Sequence, residues 1–139
     1  MSEESQEHYA LELDRARKAF KAAKILYQEK LYEDSVSRSY YAVMHAARAA
    51  LSTISVFPNS HPAVRRLFGL HLVKRGMFGK EYSVILTAEQ EDREMGDYGI
   101  GYAIPQDRAQ ARLEEAEKFI AGVEAFVKEG DGHNSYKAE

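Results

Sequence analysis

Between Tyr32 and Ile54 a single stretch of chain carries two stripes at helical spacing, and this constrains the fold more than any other feature. Val36, Tyr40, Val43, Ala47, Ala50 and Ile54 recur every three or four positions and make an apolar face. Asp34, Arg38, Tyr41, His45 and Arg48 recur in the same way on roughly the other side, flanked by Ala42, Ala46 and Ala49. A helix with messages on both faces belongs in the middle of a structure. Its small residues let another helix, or a second subunit, come close.

The neighbouring segments supply the helices such a centre needs. Tyr9, Leu13, Ala16, Phe20, Ala23 and Tyr27 mark a first amphipathic helix of about five turns, and the second ends before Pro58. After a loop over residues 57–61, Pro62 opens a basic, apolar segment running to Arg75, where Gly76 and Gly79 break it. A fourth helix spans about Lys80 to Met95, with Val84, Ile85, Ala88 and Met95 facing in, followed by a turn cluster over Gly96–Gly101. Pro105-Gln106-Asp107 opens the last helix, whose stripe Ala109, Leu113, Ala116, Ile120, Val123, Val127 stops at Gly130. The expected architecture is all-α: an up-and-down antiparallel bundle of about five helices, one domain over residues 1–129, with a flexible tail over 130–139. At 139 residues there is room for one core and no second domain.

Composition narrows the chemistry. With no cysteine there is no disulfide framework, thiolate metal site or cysteine nucleophile. Glu-x-x-His and His-Glu-x-x-His are both absent, and His61 and His71 have no carboxylate in their segment, so no metal or cofactor is expected. Gly76-Met77-Phe78-Gly79-Lys80 has its glycines too close for a phosphate loop and follows no strand. The first twelve residues carry no apolar run and no stretch could span a bilayer, which predicts a cytoplasmic protein with no membrane partner. Net charge of −3 argues against indiscriminate nucleic-acid binding, but residues 61–80 carry +5 and residues 81–98 carry −5, an asymmetry able to guide RNA to one face.

Arg38 and His45 point the same way to within about 20° and lie roughly 10 Å apart along the helix, with Tyr41 between them. Such a pair suits phosphodiester chemistry: the imidazole moves a proton at a ribose hydroxyl, and the guanidinium clamps the phosphoryl oxygens. The structural alternative pairs Arg38 with a carboxylate such as Asp34 and bonds His45 to a tyrosine or the backbone.

The block Arg38-Ser39-Tyr40-Tyr41-Ala42-Val43-Met44-His45-Ala46-Ala47-Arg48, followed by His61, the segment 68–76, Arg93-Glu94-Met95-Gly96-Asp97-Tyr98 and a long closing helix, resembles the HEPN domain family. The likeness covers about residues 5–128 and is closest to the small stand-alone prokaryotic members. It implies a homodimer, often beside a separately encoded minimal nucleotidyltransferase in a toxin-antitoxin arrangement. Active members of the family are metal-independent endoribonucleases using an Arg, four to six residues, then a His. Arg38 and His45 meet that spacing and would be catalytic, with Tyr41 orienting one of them. Arg93, Asp97, Tyr98 and Arg48 would bind nucleotide, RNA or the partner protein, Tyr98 being nearest to the tyrosine such partners modify. The other reading of the same likeness is a non-catalytic helical module that dimerises and binds a nucleotide or a partner.

Overall fold

The structure is a computed structural model describing the backbone of residues 1–98 and 103–137, with side chains through residue 95 and from 103 to 130. Among the described residues all regular structure is helical: α1 (Glu3–Gln28), α2 (Tyr32–Ser52), α3 (His61–Phe68), which runs into a π-helical turn over Gly69–Val73, α4 (Lys80–Tyr98) and α5 (Gln106–Lys137). The expected all-α bundle is what forms.

α1 begins six residues before Tyr9 because Ser2 caps it, its hydroxyl accepting the Ser5 amide at 3.1 Å while Glu3 and Glu4 sit in the first turn. A link of three residues, with Lys30 in the left-handed conformation (φ 62°), sends the chain back along α1 as α2. α2 ends at Ser52, earlier than periodicity suggested. Thr53 and Ile54 hydrogen-bond back to Ala50 and Leu51, Ser55 takes φ 59°, and Ile54 is consequently part-exposed instead of core. Ser60 caps α3 and Pro62 occupies its first turn, as expected of a proline that has no amide to lose there. The break after Arg75 is a left-handed turn at Gly76 (φ 79°).

α2 packs against α1, α3, α4 and α5, so it is the centre of the bundle. Ala42, Ala46 and Ala49 have no exposed surface, and helices of the same chain supply the close approach they permit. The main core joins Tyr40, Val43, Met44 and Leu51 of α2 to aromatic rings of the other helices. Phe68 lies 5.1 Å from Phe78 and 5.4 Å from Phe119, with Tyr82 edge-on to both Phe78 and Phe119.

Two expectations for the last helices are corrected. The inward residues of α4 are Ile85, Leu86, Glu89 and Asp92, whereas Val84 and Met95 lie on the surface, Val84 at 63% exposure. The apolar stripe misled because two inward positions hold carboxylates. α4 also continues through Gly96 to Tyr98, the rest of the expected turn cluster, 99–101, lying outside the described residues, and α5 passes Gly130 to reach Lys137. A glycine within a helix costs only about 1 kcal/mol and does not by itself end one. No helix among the described residues is long and apolar enough to cross a membrane.

Candidate functional site: a basic groove along α2

The polar stripe of α2 opens between α1 and the α3–α4 side of the bundle. Arg38, Tyr41 and His45 line one open groove of about 420 Å³, whose other wall is Arg15, Lys18, Ala19 and Ala22 of α1. The two residues that spacing brought together are thus together in space, on a solvent-reachable surface. Arg15 and Lys18 have carboxylate partners on their own helix, Glu12 at 3.2 Å and Asp14 at 3.0 Å. Arg38 is exposed and, among the described residues, forms no ion pair; the expected bridge to Asp34 is absent.

His45 has a partner that spacing did not reveal. Glu12 of α1 places Oε2 2.6 Å from His45 Nδ1, and the residue is 8% exposed. Burial pushes the Glu12 carboxyl up, but the hydrogen bond and charge of His45, with Arg48 and Arg15, outweigh it and hold the group below the ordinary carboxylate range. Glu12 is therefore an anion at neutral pH and can only accept, so the proton of this bond sits on Nδ1. In the neutral imidazole the lone pair is then on Nε2, the atom left to take a proton from a ligand. The signal for Glu12 was present in the sequence: it falls three residues after Tyr9 and four before Ala16, inside the buried stripe of α1.

The remaining candidates take different places. Tyr41 lines the groove, but its hydroxyl accepts from Arg93 Nη2 at 3.3 Å and bonds neither Arg38 nor His45. Arg93 lies over the rings of Tyr40 and Tyr41, 5.2 and 5.6 Å from their centroids, and so ties α4 to α2. Tyr40 and His61 are joined by a 2.8 Å hydrogen bond between the phenol oxygen and Nδ1. Burial, aided by the charges of Arg48, Arg93, His45 and Arg65, holds His61 below the ordinary imidazole range, so it is neutral at pH 7. Arg48 is half-buried one turn beyond His45, beside Glu12. Asp97 and Tyr98 lie in the last turn of α4, and their side chains are outside the described residues. Among the described residues no three His, Asp or Glu side chains gather where they could hold a metal ion.

A helical bundle whose central helix presents an Arg-x6-His pair in a basic groove, the imidazole backed by a carboxylate, defines the class. Residues 9–129 match the HEPN domain, and the chain belongs to the HEPN domain family. It is 36% identical over 114 residues to "Putative toxin MJ0605" of Methanocaldococcus jannaschii, covering 82% of this chain and 84% of that protein. It is 37% identical to "UPF0332 protein glr0978" of Gloeobacter violaceus, covering 78% and 86%. A UPF0332 protein of Archaeoglobus fulgidus is 31% identical, covering 79% and 87%.

Proposed function

We propose that this chain is a toxin-like HEPN protein that binds RNA along α2 and cleaves it without a metal ion, working as a homodimer and paired with a separately encoded minimal nucleotidyltransferase. The observation that carries the reading is the shared groove of Arg38 and His45, with Glu12 engaging Nδ1 and leaving Nε2 as the free nitrogen. The toxin name of two archaeal relatives favours it, as does coverage of most of their length.

In this reading His45 Nε2 takes the proton of a ribose 2′-hydroxyl. The freed oxygen attacks the adjacent phosphorus, and the bond from phosphorus to the 5′-oxygen of the next nucleotide breaks. The imidazolium then returns its proton to that leaving oxygen. The products are a 2′,3′-cyclic phosphate and a 5′-hydroxyl. Arg38 pairs with the phosphoryl oxygens, on which charge grows in the transition state, and Glu12 stabilises the imidazolium through Nδ1–H. The test is cleavage of single-stranded RNA in excess EDTA by the purified chain, with His45→Ala beside it. Activity that the variant retains in full removes the catalytic assignment.

A binding module without catalysis is the second reading, and the uncommitted guanidinium of Arg38 favours it, since a clamp for a phosphate needs no proton transfer. It expects RNA or nucleotide binding that Arg38→Ala weakens, with no product formed. Cytoplasmic localisation belongs to both readings.

A further inference from the structure

A second recess, of about 200 Å³, lined by Glu12 but not by His45, lies where α1, the end of α2 and the loop over residues 53–60 meet. It is smaller and more closed than the groove. Three features make its lining unlike ordinary surface.

The first is Arg48. It stands on the same stripe of α2 as Arg38 and His45, about 4.5 Å along the axis from His45 and about 15 Å from Arg38. The residue is half-buried, yet among the described residues its guanidinium forms no hydrogen bond or ion pair, while its charge reaches Glu12 and His61.

The second is Phe57, a large apolar ring 39% exposed in a short loop. It is held in place: its ring lies 4.4 Å from the His8 ring, Val56 donates to the Leu51 carbonyl at 3.1 Å, and the Ser55 and Ser5 hydroxyls meet at 3.0 Å, tying the loop to α1. The third is the mixture itself. Phe57 and its neighbour Pro58 stand beside Arg48 and the amide of Asn59 in a space too small for a helix. Glu12 also lines the recess and shares the charge of Arg48, so a bare anion would meet a partly offset cation and leave the ring unused, and a hydrocarbon would gain nothing from the guanidinium. A flat ring joined to an anion uses both.

We propose that this recess takes one unpaired nucleotide, its base stacked on Phe57 and its phosphate paired with Arg48. This rests on the reading that RNA lies along α2: the nucleotide here is the neighbour of the one whose phosphate meets Arg38 and His45. Base-on-aromatic stacking and a charge-assisted phosphate contact need no base sequence, so the site selects single strands over duplex.

The test uses the full chain carrying His45→Ala, so that cleavage cannot consume the probe. Binding of a 5′-fluorescein-labelled ten-nucleotide RNA of mixed sequence is followed by anisotropy over a salt series, with adenosine 5′-monophosphate as a second probe. Adding Phe57→Ala should weaken RNA binding about 5- to 100-fold and Phe57→Tyr should restore it. Adding Arg48→Ala should weaken binding and lower the slope of log affinity against log salt by about 0.7, one phosphate contact on a single strand. Melting curves of the variants confirm that each is folded. RNA binding at least about tenfold tighter than the mononucleotide, and sensitive to Phe57, assigns the recess to a strand. Equal affinities, both sensitive to Phe57, assign it to a free nucleotide. Phe57→Ala and Arg48→Ala chains that bind both probes as the parent does overturn the proposal. The two readings fail separately. A wild-type chain that binds RNA through Phe57 but does not cut leaves the recess standing without catalysis, and a chain that cuts with Phe57 irrelevant does the reverse.

Discussion

Two buried glutamates, Glu12 under α2 and Glu89 between α4 and α5, show how one residue type becomes two different chemical groups. Glu12 faces an imidazole and two guanidinium groups at the edge of an open groove, and it is held as an anion. Glu89 has no exposed surface. Burial pushes its carboxyl well above the ordinary range, the charge of Glu115 pushes it further, and Arg112 falls short of reversing this. The Glu115 carboxyl is raised as well, by burial above all, so a proton on Glu89 is what lets the two acids lie together. Asp92 beside them meets both Arg108 and Arg112 at 3.5 Å. The difference separates chemistry from architecture: the anion at the groove orients a group that can act on a ligand, whereas the acid in the interior is enclosed between helices with neither carboxyl oxygen hydrogen-bonded among the described residues.

The sharpest way to break this contrast is at His45. His45→Ala should lower RNA cleavage by about 10² to 10⁴-fold, the usual worth of a positioned acid-base group, read as product formed in EDTA. Glu12→Gln, which keeps the shape and removes the charge, should lower cleavage by at least about tenfold, with kcat affected more than KM. Glu89→Gln should leave cleavage unchanged; an equal loss in both variants would erase the distinction between the two glutamates.

Stability against pH tests the same contrast with opposite signs. Glu89 holds its proton in the folded chain to a higher pH than in the unfolded chain, so its contribution is whole below the ordinary carboxylate range. It is lost as pH rises through the folded value, by at most about 1.4 kcal/mol per pH unit. Melting temperature between pH 5 and 9 should fall in the parent and flatten in Glu89→Gln. Glu12 contributes above the ordinary carboxylate range and loses its contribution as pH falls through its lowered value, so Glu12→Gln should flatten the acid side instead. The smallest effect concerns packing alone. A Cβ on Gly122 of α5 would come within 2.2 Å of the Tyr82 hydroxyl of α4 and 2.8 Å of its ring. Gly122→Ala should gain helix propensity yet lose about 1 kcal/mol net, seen as a melting temperature lower by a few degrees, with part recovered by adding Tyr82→Phe.

Much of this molecule was legible from spacing. The double stripe of α2 predicted a central helix, and α2 is surrounded by the other four. The seven-residue step from Arg38 to His45 predicted a shared direction, and both line one groove. The inward face of α4 was misjudged because Glu89 and Asp92 read as surface residues. Only the packed bundle shows that one is neutral and the other paired. Tyr41 was expected to orient one of Arg38 and His45, and its hydroxyl instead accepts from Arg93, 52 positions along the chain on α4.

Periodicity belongs to the chain, because a helix repeats every 3.6 residues wherever it lies, and the arrangement of side chains on one helix can be worked out before any folding. What faces that helix cannot. The bond between Glu12 and His45 joins residues 33 positions apart, and the charge on that glutamate depends on how much water the neighbouring helices exclude and which cations they bring. Protonation and partnership are properties of an environment, and the environment exists only when the helices have closed around it.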